Sequence, residues 1–250
     1  MRMLLLGAML TALAAPVGRA DDAKDLVEKV MKAHGGKELL AKYKGGESTI
    51  TGSMSVMGND IDLKGTILTA DGGKARLDMT ADFMGQKLAI LQISNGKNST
   101  MKVSLAGADL PAPPTPAEEL KMSGIVSEMT KIYPLLDEAK FKIKKEADAD
   151  VDGKKAELLV VTVVELKKDV KLYFDKETSY MVKQVRTGLN PTGGGDAERE
   201  MLLTDHKKID GIPLAMKMVS YIDGVKQLTI VLKEHKNLEK VDDKKFSVDD

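Results

Sequence analysis

Between residues 23 and 44 the chain reads AKDLVEKVMKAHGGKELLAKYK, with apolar side chains at Leu26, Val27, Val30, Met31, Leu39, Leu40 and Tyr43. Spacing by three and four predicts an amphipathic helix. The glycine pair at 35–36 breaks it into two short helices or one bent one. After that the period changes to two. STITGSMSVM places Ile50, Met54 and Val56 on one face and hydroxyls on the other. DIDLKGTILTA alternates Ile61, Leu63 and Ile67 with charges, and KARLDMTADFMG alternates Ala75, Leu77, Met79, Ala81 and Phe83 with polar residues. QKLAILQIS and STMKVSL continue the series, which predicts five half-buried antiparallel strands. Between them stand GND, DGGK, MGQK and NGKN, which supply the positive φ of tight hairpin turns.

A proline-rich stretch, AGADLPAPPTPAE at 106–118, interrupts the strands. Its four prolines forbid a central strand, and a loop crossing the fold is the preferred reading. Residues 117–138 predict a further amphipathic helix with Leu120, Ile125, Met129 and Ile132 on one stripe, ended near Pro134. Seven strand-like segments follow from residue 140, separated by VDGKK, DKETS, IDGIP and IDGVK. LLVVTVV at 158–164 is apolar on both faces, which predicts a central strand covered on both sides. NPTGGGDAE at 190–198 predicts a loop, and the tail VDDKKFSVDD is expected to be pinned through Phe246. About twelve strands must curl. The fold class expected is therefore α+β: a large curved antiparallel sheet with amphipathic helices across its concave face.

The N-terminus changes the setting. MRMLLLGAMLTALAAPVGRA has Arg2, an apolar stretch from Leu4 to Ala15, and small residues at Gly18 and Ala20. This is the pattern of a secretory signal peptide cut after Ala20, too short to span a bilayer. Residues 21–250 are then expected to form one exported domain, periplasmic or secreted, with no membrane span. There is no cysteine, so disulfides, cysteine–zinc sites and a lipid-anchored N-terminus are excluded. Lys+Arg and Asp+Glu both number 38, and losing Arg2 and Arg19 leaves a slight acidic excess. Nothing here offers the basic surplus that nucleic acid requires.

Catalytic chemistry is hard to assemble. The histidines are His34, His206 and His235, each expected at the surface. His206 follows Asp205 on a strand, so their side chains point to opposite faces. No G-x-S-x-G elbow and no phosphate loop occur. NGKNST reads as a hairpin, and DADVDG lacks the spacing and closing Glu of a calcium loop. No enzyme, cofactor or metal is expected. Methionine is more informative: 15 are present, among them Met57, Met79, Met84, Met101, Met122, Met129, Met216 and Met218 on expected elements. Met fills cores, and it also lines surfaces that accept varied apolar ligands.

Five stretches together carry a resemblance. They are GTILTADGGKARLDM (65–79), LQISNGKNSTMKV (91–103), VKLYFDKETSYMVKQV (170–185), TDHKKIDGIPLAMKMVSYIDG (204–224) and DDKKF (242–246). The pattern of turns and strands resembles the LolA-like superfamily of periplasmic lipoprotein carriers. Asn98, Ser99 and Thr100 stand where that family has an aromatic, and its Arg-Pro pair has only Arg76 as an approximate counterpart. The resemblance implies a half-open β-barrel with helices as a lid over an apolar cavity that holds acyl chains. The expected function is an exported carrier of a lipid or acylated, lipoprotein-like ligand, with envelope lipoproteins or membrane proteins as partners. The alternative is an envelope sensor or protein-interaction module of the same fold. Alternation assigns the cavity lining to Ile50, Met54, Ile67, Leu77, Met79, Met101, Val160, Val182, Met216 and Met218, and a slip of one residue would invert any strand's share.

Overall fold

The structure, a computed structural model, describes residues 20–56, 59–111, 116–190 and 195–248. The expected signal peptide lies outside the described residues except for Ala20, and so does Met57. The first helices are α1 (Ala20–Ala33) and α2 (Lys37–Lys42). In α1, Ala23, Leu26, Val27 and Val30 form the buried stripe. Asp21 and Asp22 in its first turn and Lys32 in its last complement the helix dipole. Gly35 and Gly36 separate the two helices at positive φ.

A first meander follows: β1 (Gly45–Val56), β2 (Asn59–Ala70), β3 (Lys74–Phe83), β4 (Gln86–Asn95), β5 (Ser99–Leu105) and β6 (Ala108–Leu110). Then come α3 (Ala117–Met129) and a 3₁₀ turn at Tyr133–Leu136. The second meander comprises β7 (Phe141–Val151), β8 (Lys154–Val163), β9 (Lys168–Asp175), β10 (Met181–Leu189), β11 (Asp196–Ile209), β12 (Ile212–Ile222) and β13 (Val225–Leu238). These thirteen strands form one sheet in the order β6-β5-β4-β3-β2-β1-β13-β12-β11-β10-β9-β8-β7. All its pairs are antiparallel, and it curls without closing, with β6 and β7 as its free edges.

The order explains the path of the chain. The first meander runs outward from β1 to one edge, and the second runs inward from the other edge to β13. The segment between them starts at the β6 edge and ends at the β7 edge, so α3 and the 3₁₀ turn lie on the crossing path. The strand beyond the twelve expected is β6, three exposed residues just before Pro111. Edge position is where a proline neighbour does least harm.

Three apolar clusters result. The largest joins α1, α3 and the 3₁₀ turn to β7–β10, through Val27, Met122, Met129, Leu159, Val161, Leu172 and Phe174 among others. The second consists of strand residues only, from β1–β4 and β11–β13. The third packs the C-terminal tail, through Phe246, on Leu68 and Ile93. Leu68 and Ile93 alternate with Ile67 and Gln92, so the tail covers the opposite face of the first meander.

Two expectations need correction. The stripe of α3 is Met122, Ile125, Val126 and Met129; Leu120 stays outside the cluster, and Ile132 lies beyond the helix at φ 63°. Strand β8 is next to last in the sheet, and its cover is one-sided. Leu159 and Val161 are 0% exposed while Leu158 and Val160 remain half-buried. Its second apolar face reflects β-branched preference in a strand rather than a second layer.

Candidate ligand cavity

A cavity of about 380 Å³ opens where the two meanders join at β1 and β13. Its walls are mainly apolar and include Leu40, Ile67, Met181, Leu214, Met218 and Leu232. The C-terminal end of α3 and the residues just after it close one side, through Ser127, Glu128 and Lys131. Ile67, Leu214, Met218 and Leu232 also belong to the strand-only cluster, so the cavity continues into that apolar face. A more open hollow of about 600 Å³ lies over the first meander, bordered by Ile50, Met79 and Ile90.

The ten residues expected to line a cavity separate into groups. Ile67 and Met218 border the 380 Å³ cavity. Ile50, Met79 and Met216 are buried in the adjoining cluster, with Met54 and Leu77 packed against it. Met101 lies opposite Gln92 on β4, half-buried and in no cluster. Val160 pairs with Lys144 and Lys171 and shares their outer face. Val182 is the residue that a bulge skips, since Met181 pairs with Phe174 and Lys183 with Tyr173. The bulge brings Met181 to the cavity wall in its place. Met84, counted among the element methionines, sits in a hairpin turn and is 88% exposed.

Sequence reasoning missed the polar side of the cavity. His34, His206 and His235 all border it, against the expectation that each is a surface residue. They come from the end of α1, from β11 and from β13, and only the fold brings them together. The ring of His34 meets Tyr180 edge-on at 5.8 Å between centroids, and Tyr180 meets His206 at 5.4 Å. His34 Nδ1 lies 2.9 Å from the Val30 carbonyl, and His206 Nε2 lies 2.9 Å from that of Met181. Burial pushes both imidazoles below their ordinary value of 6.5, the bonded carbonyls pulling the other way. His235 lies over Gly46, where a Cβ would sit 2.6 Å from the ring. Asp205 is exposed at φ 57°, so it forms no acid–base pair with His206. Among the described residues no group of three metal-ligating side chains converges.

Three ion networks fasten the helices to the sheet and its turns. Lys131 donates to the Tyr43 carbonyl at 3.0 Å and pairs with Asp71, tying the end of α3 to the β2–β3 turn. Gly124 and Gly73 make that approach close, since a Cβ on Gly124 would lie 3.3 Å from the Gly73 Cα. At the other end of α3, Glu119 pairs with Arg186 and, at 2.6 Å, with Arg199. Burial pushes the Glu119 carboxyl up, but the hydrogen bonds and charge of Arg186 with the charge of Arg199 outweigh it and hold it below its usual value. In the same way Glu157 of β8 takes Lys29 of α1 at 2.6 Å and Lys145 at 2.9 Å.

No protein-family model matches the sequence, and no curated protein matches it. Solved structures do. A crystallised domain described as an outer membrane lipoprotein-sorting protein, from Vibrio parahaemolyticus, superposes with TM-score 0.54 at 11% identity, over 91% of this chain and 97% of that one. A DUF1329 family protein from Desulfovibrio piger gives TM-score 0.54 at 11% identity, over 90% and 97%. A LolA superfamily protein from Nitrosomonas europaea gives 0.49 at 9% identity, over 89% and 97%. Among the described residues no helix is long and apolar enough to cross a membrane. The unclosed antiparallel sheet, the helices packed against it and the match over nine-tenths of the chain give one conclusion: this chain shares the fold of the Vibrio lipoprotein-sorting domain and of the Desulfovibrio DUF1329 protein.

Proposed function

We propose that this protein is an exported binding protein of the cell envelope that holds a lipid or acylated ligand in its cavity, and that it acts as a carrier rather than an enzyme. Residues 1–20 act as the export signal, and residues 21–250 form the binding unit. The observation that carries this reading is the 380 Å³ apolar cavity running into a strand-only apolar face. Ordinary small-molecule sites span about 300–1,000 Å³ and are lined mainly by apolar groups with a few polar ones. Sharing a fold with a lipoprotein-sorting domain supports an acyl chain as the apolar part of the ligand. The site's own residues support it too: Met181 and Met218 offer adaptable, polarisable walls.

The test is native mass spectrometry of the purified protein before and after lipid extraction, with uptake of a fluorescent fatty-acyl probe. We expect an extractable lipid, and at least a tenfold loss of probe affinity in Met218→Arg with unchanged circular dichroism. A protein that purifies empty and takes up no probe contradicts the carrier reading and favours a protein-interaction module.

A further inference from the structure

The hydrogen-bond partners of the three histidines fix where their protons sit. His34 Nδ1 faces a carbonyl, so it carries the hydrogen and Nε2 keeps its lone pair. His206 Nε2 faces a carbonyl, so Nδ1 keeps its lone pair. His235 is fixed through Asn237. The Asn237 amide nitrogen donates to the Ile209 carbonyl at 3.2 Å and to Asp210 at 3.1 Å. Its oxygen therefore accepts from His235 Nε2 at 3.1 Å. His235 Nδ1 then accepts from Ser48 at 2.8 Å, so both its nitrogens are used.

Two lone-pair nitrogens remain, His34 Nε2 and His206 Nδ1, on rings that flank Tyr180. Among the described residues no fully buried side-chain nitrogen or oxygen lacks a partner. His34 Nε2 has none, so it is not fully buried, and His34 borders the cavity. The charged side chains that line the cavity are two of each sign, Lys44 and Lys131 against Asp71 and Glu128; Lys131 is paired with Asp71, and the Lys44 ammonium donates to the Ala41 carbonyl. The lining therefore carries no net charge, and the two imidazole nitrogens are its open hydrogen-bond acceptors. A carboxylate or phosphate brings only acceptors and would leave these two lone pairs without a donor. A hydroxyl brings the donor that they lack. The volume lies near the lower end of the small-molecule range, which suits one chain rather than several.

We infer that the cavity selects a single-chain amphiphile with an uncharged, hydroxyl-bearing head, of the monoacylglycerol class, whose hydroxyls donate to His34 Nε2 and His206 Nδ1. This rests on the acyl-binding reading above and narrows it.

Isothermal titration of delipidated protein at pH 8 with 1-lauroylglycerol, its dimethyl ether and laurate tests the inference. One neutral hydrogen bond is worth about fivefold in affinity, so two give roughly tenfold or more. We expect 1-lauroylglycerol to bind at least about tenfold more tightly than either the ether or laurate. His206→Phe should cut the advantage of the glycerol ester over the ether by about fivefold, the hydrogen bond to His34 remaining. Equal binding of ester and ether, or tighter binding of laurate, overturns the inference while leaving an acyl cavity in place. Failure of all three ligands to bind overturns both readings. If His206→Phe does not fold, the ester–ether comparison on the unaltered protein decides.

Discussion

Val160 and Val161 are neighbours with the same side chain and opposite surroundings. Val161 is 0% exposed in the cluster beneath α1 and α3, whereas Val160 shares the outer face of Lys144 and Lys171. A hydroxyl at position 161 has only apolar neighbours, which costs about 1–3 kcal/mol. Val161→Thr should therefore lower the urea midpoint clearly, while Val160→Thr should change stability by no more than about 0.5 kcal/mol. Equal effects at the two positions would show that the register is wrong. Which valine faces inward was not legible in LLVVTVV, because alternation has no polar partner there to set its phase. Where polar residues do alternate, the phase was legible. In PLAMKMV, Lys217 sets it, and Met216 and Met218 fall in the strand-only cluster. At Val182 the phase was lost for another reason: a bulge is a tertiary choice with no composition signal in MVKQV.

At the scale of elements, most of the sheet was legible from hairpin chemistry. Asp210–Gly211 and Asp223–Gly224 hold φ of 51° and 86°, and of 46° and 75°, which Asp-Gly pairs adopt readily. The histidine face was not legible, since no local pattern links residues 34, 206 and 235. Nor were the docking points of the helices, which depend on carboxylates far apart in the chain. Each of the two longer helices is fastened through one buried glutamate: Glu157 receives Lys29 of α1, and Glu119 of α3 receives Arg186 and Arg199. Arg186 is only 8% exposed, so removing its partner strands a buried charge. Glu119→Ala should cost about 3–5 kcal/mol in urea unfolding and raise hydrogen exchange in α3 more than in α1. Adding Arg186→Met should recover a large part of that loss, because the stranded charge is then gone. A double variant no more stable than Glu119→Ala would mean that the ion pair does more than compensate its own burial.

At the scale of the whole molecule, the topology concentrates titratable groups where the meanders and helices meet. Burial holds His34 and His206 neutral, with values below 6.5. The unfolded chain binds these protons near 6.5 and the folded chain does not, so the associated stability is complete above that pH and falls as pH drops below it. Glu119, Glu157 and Asp175 behave differently. Burial raises each carboxyl, but lysine, arginine or Thr178 hydrogen bonds bring each net below its ordinary value. Their contribution is complete above the ordinary values of 4.5 and 3.8 and is lost as pH falls through the lower folded values. Acid should therefore act in two stages, first through the imidazoles and then through the carboxylates. Urea midpoints measured from pH 8 to pH 3 should be level down to about 7, decline as pH falls below about 6.5, and decline again below about 4.5. The double variant His34→Gln/His206→Gln should lose the first decline and keep the second. A midpoint level from pH 8 to pH 5 in the unaltered protein would mean that both rings are solvated, and the acceptor face proposed for the ligand would lose its basis.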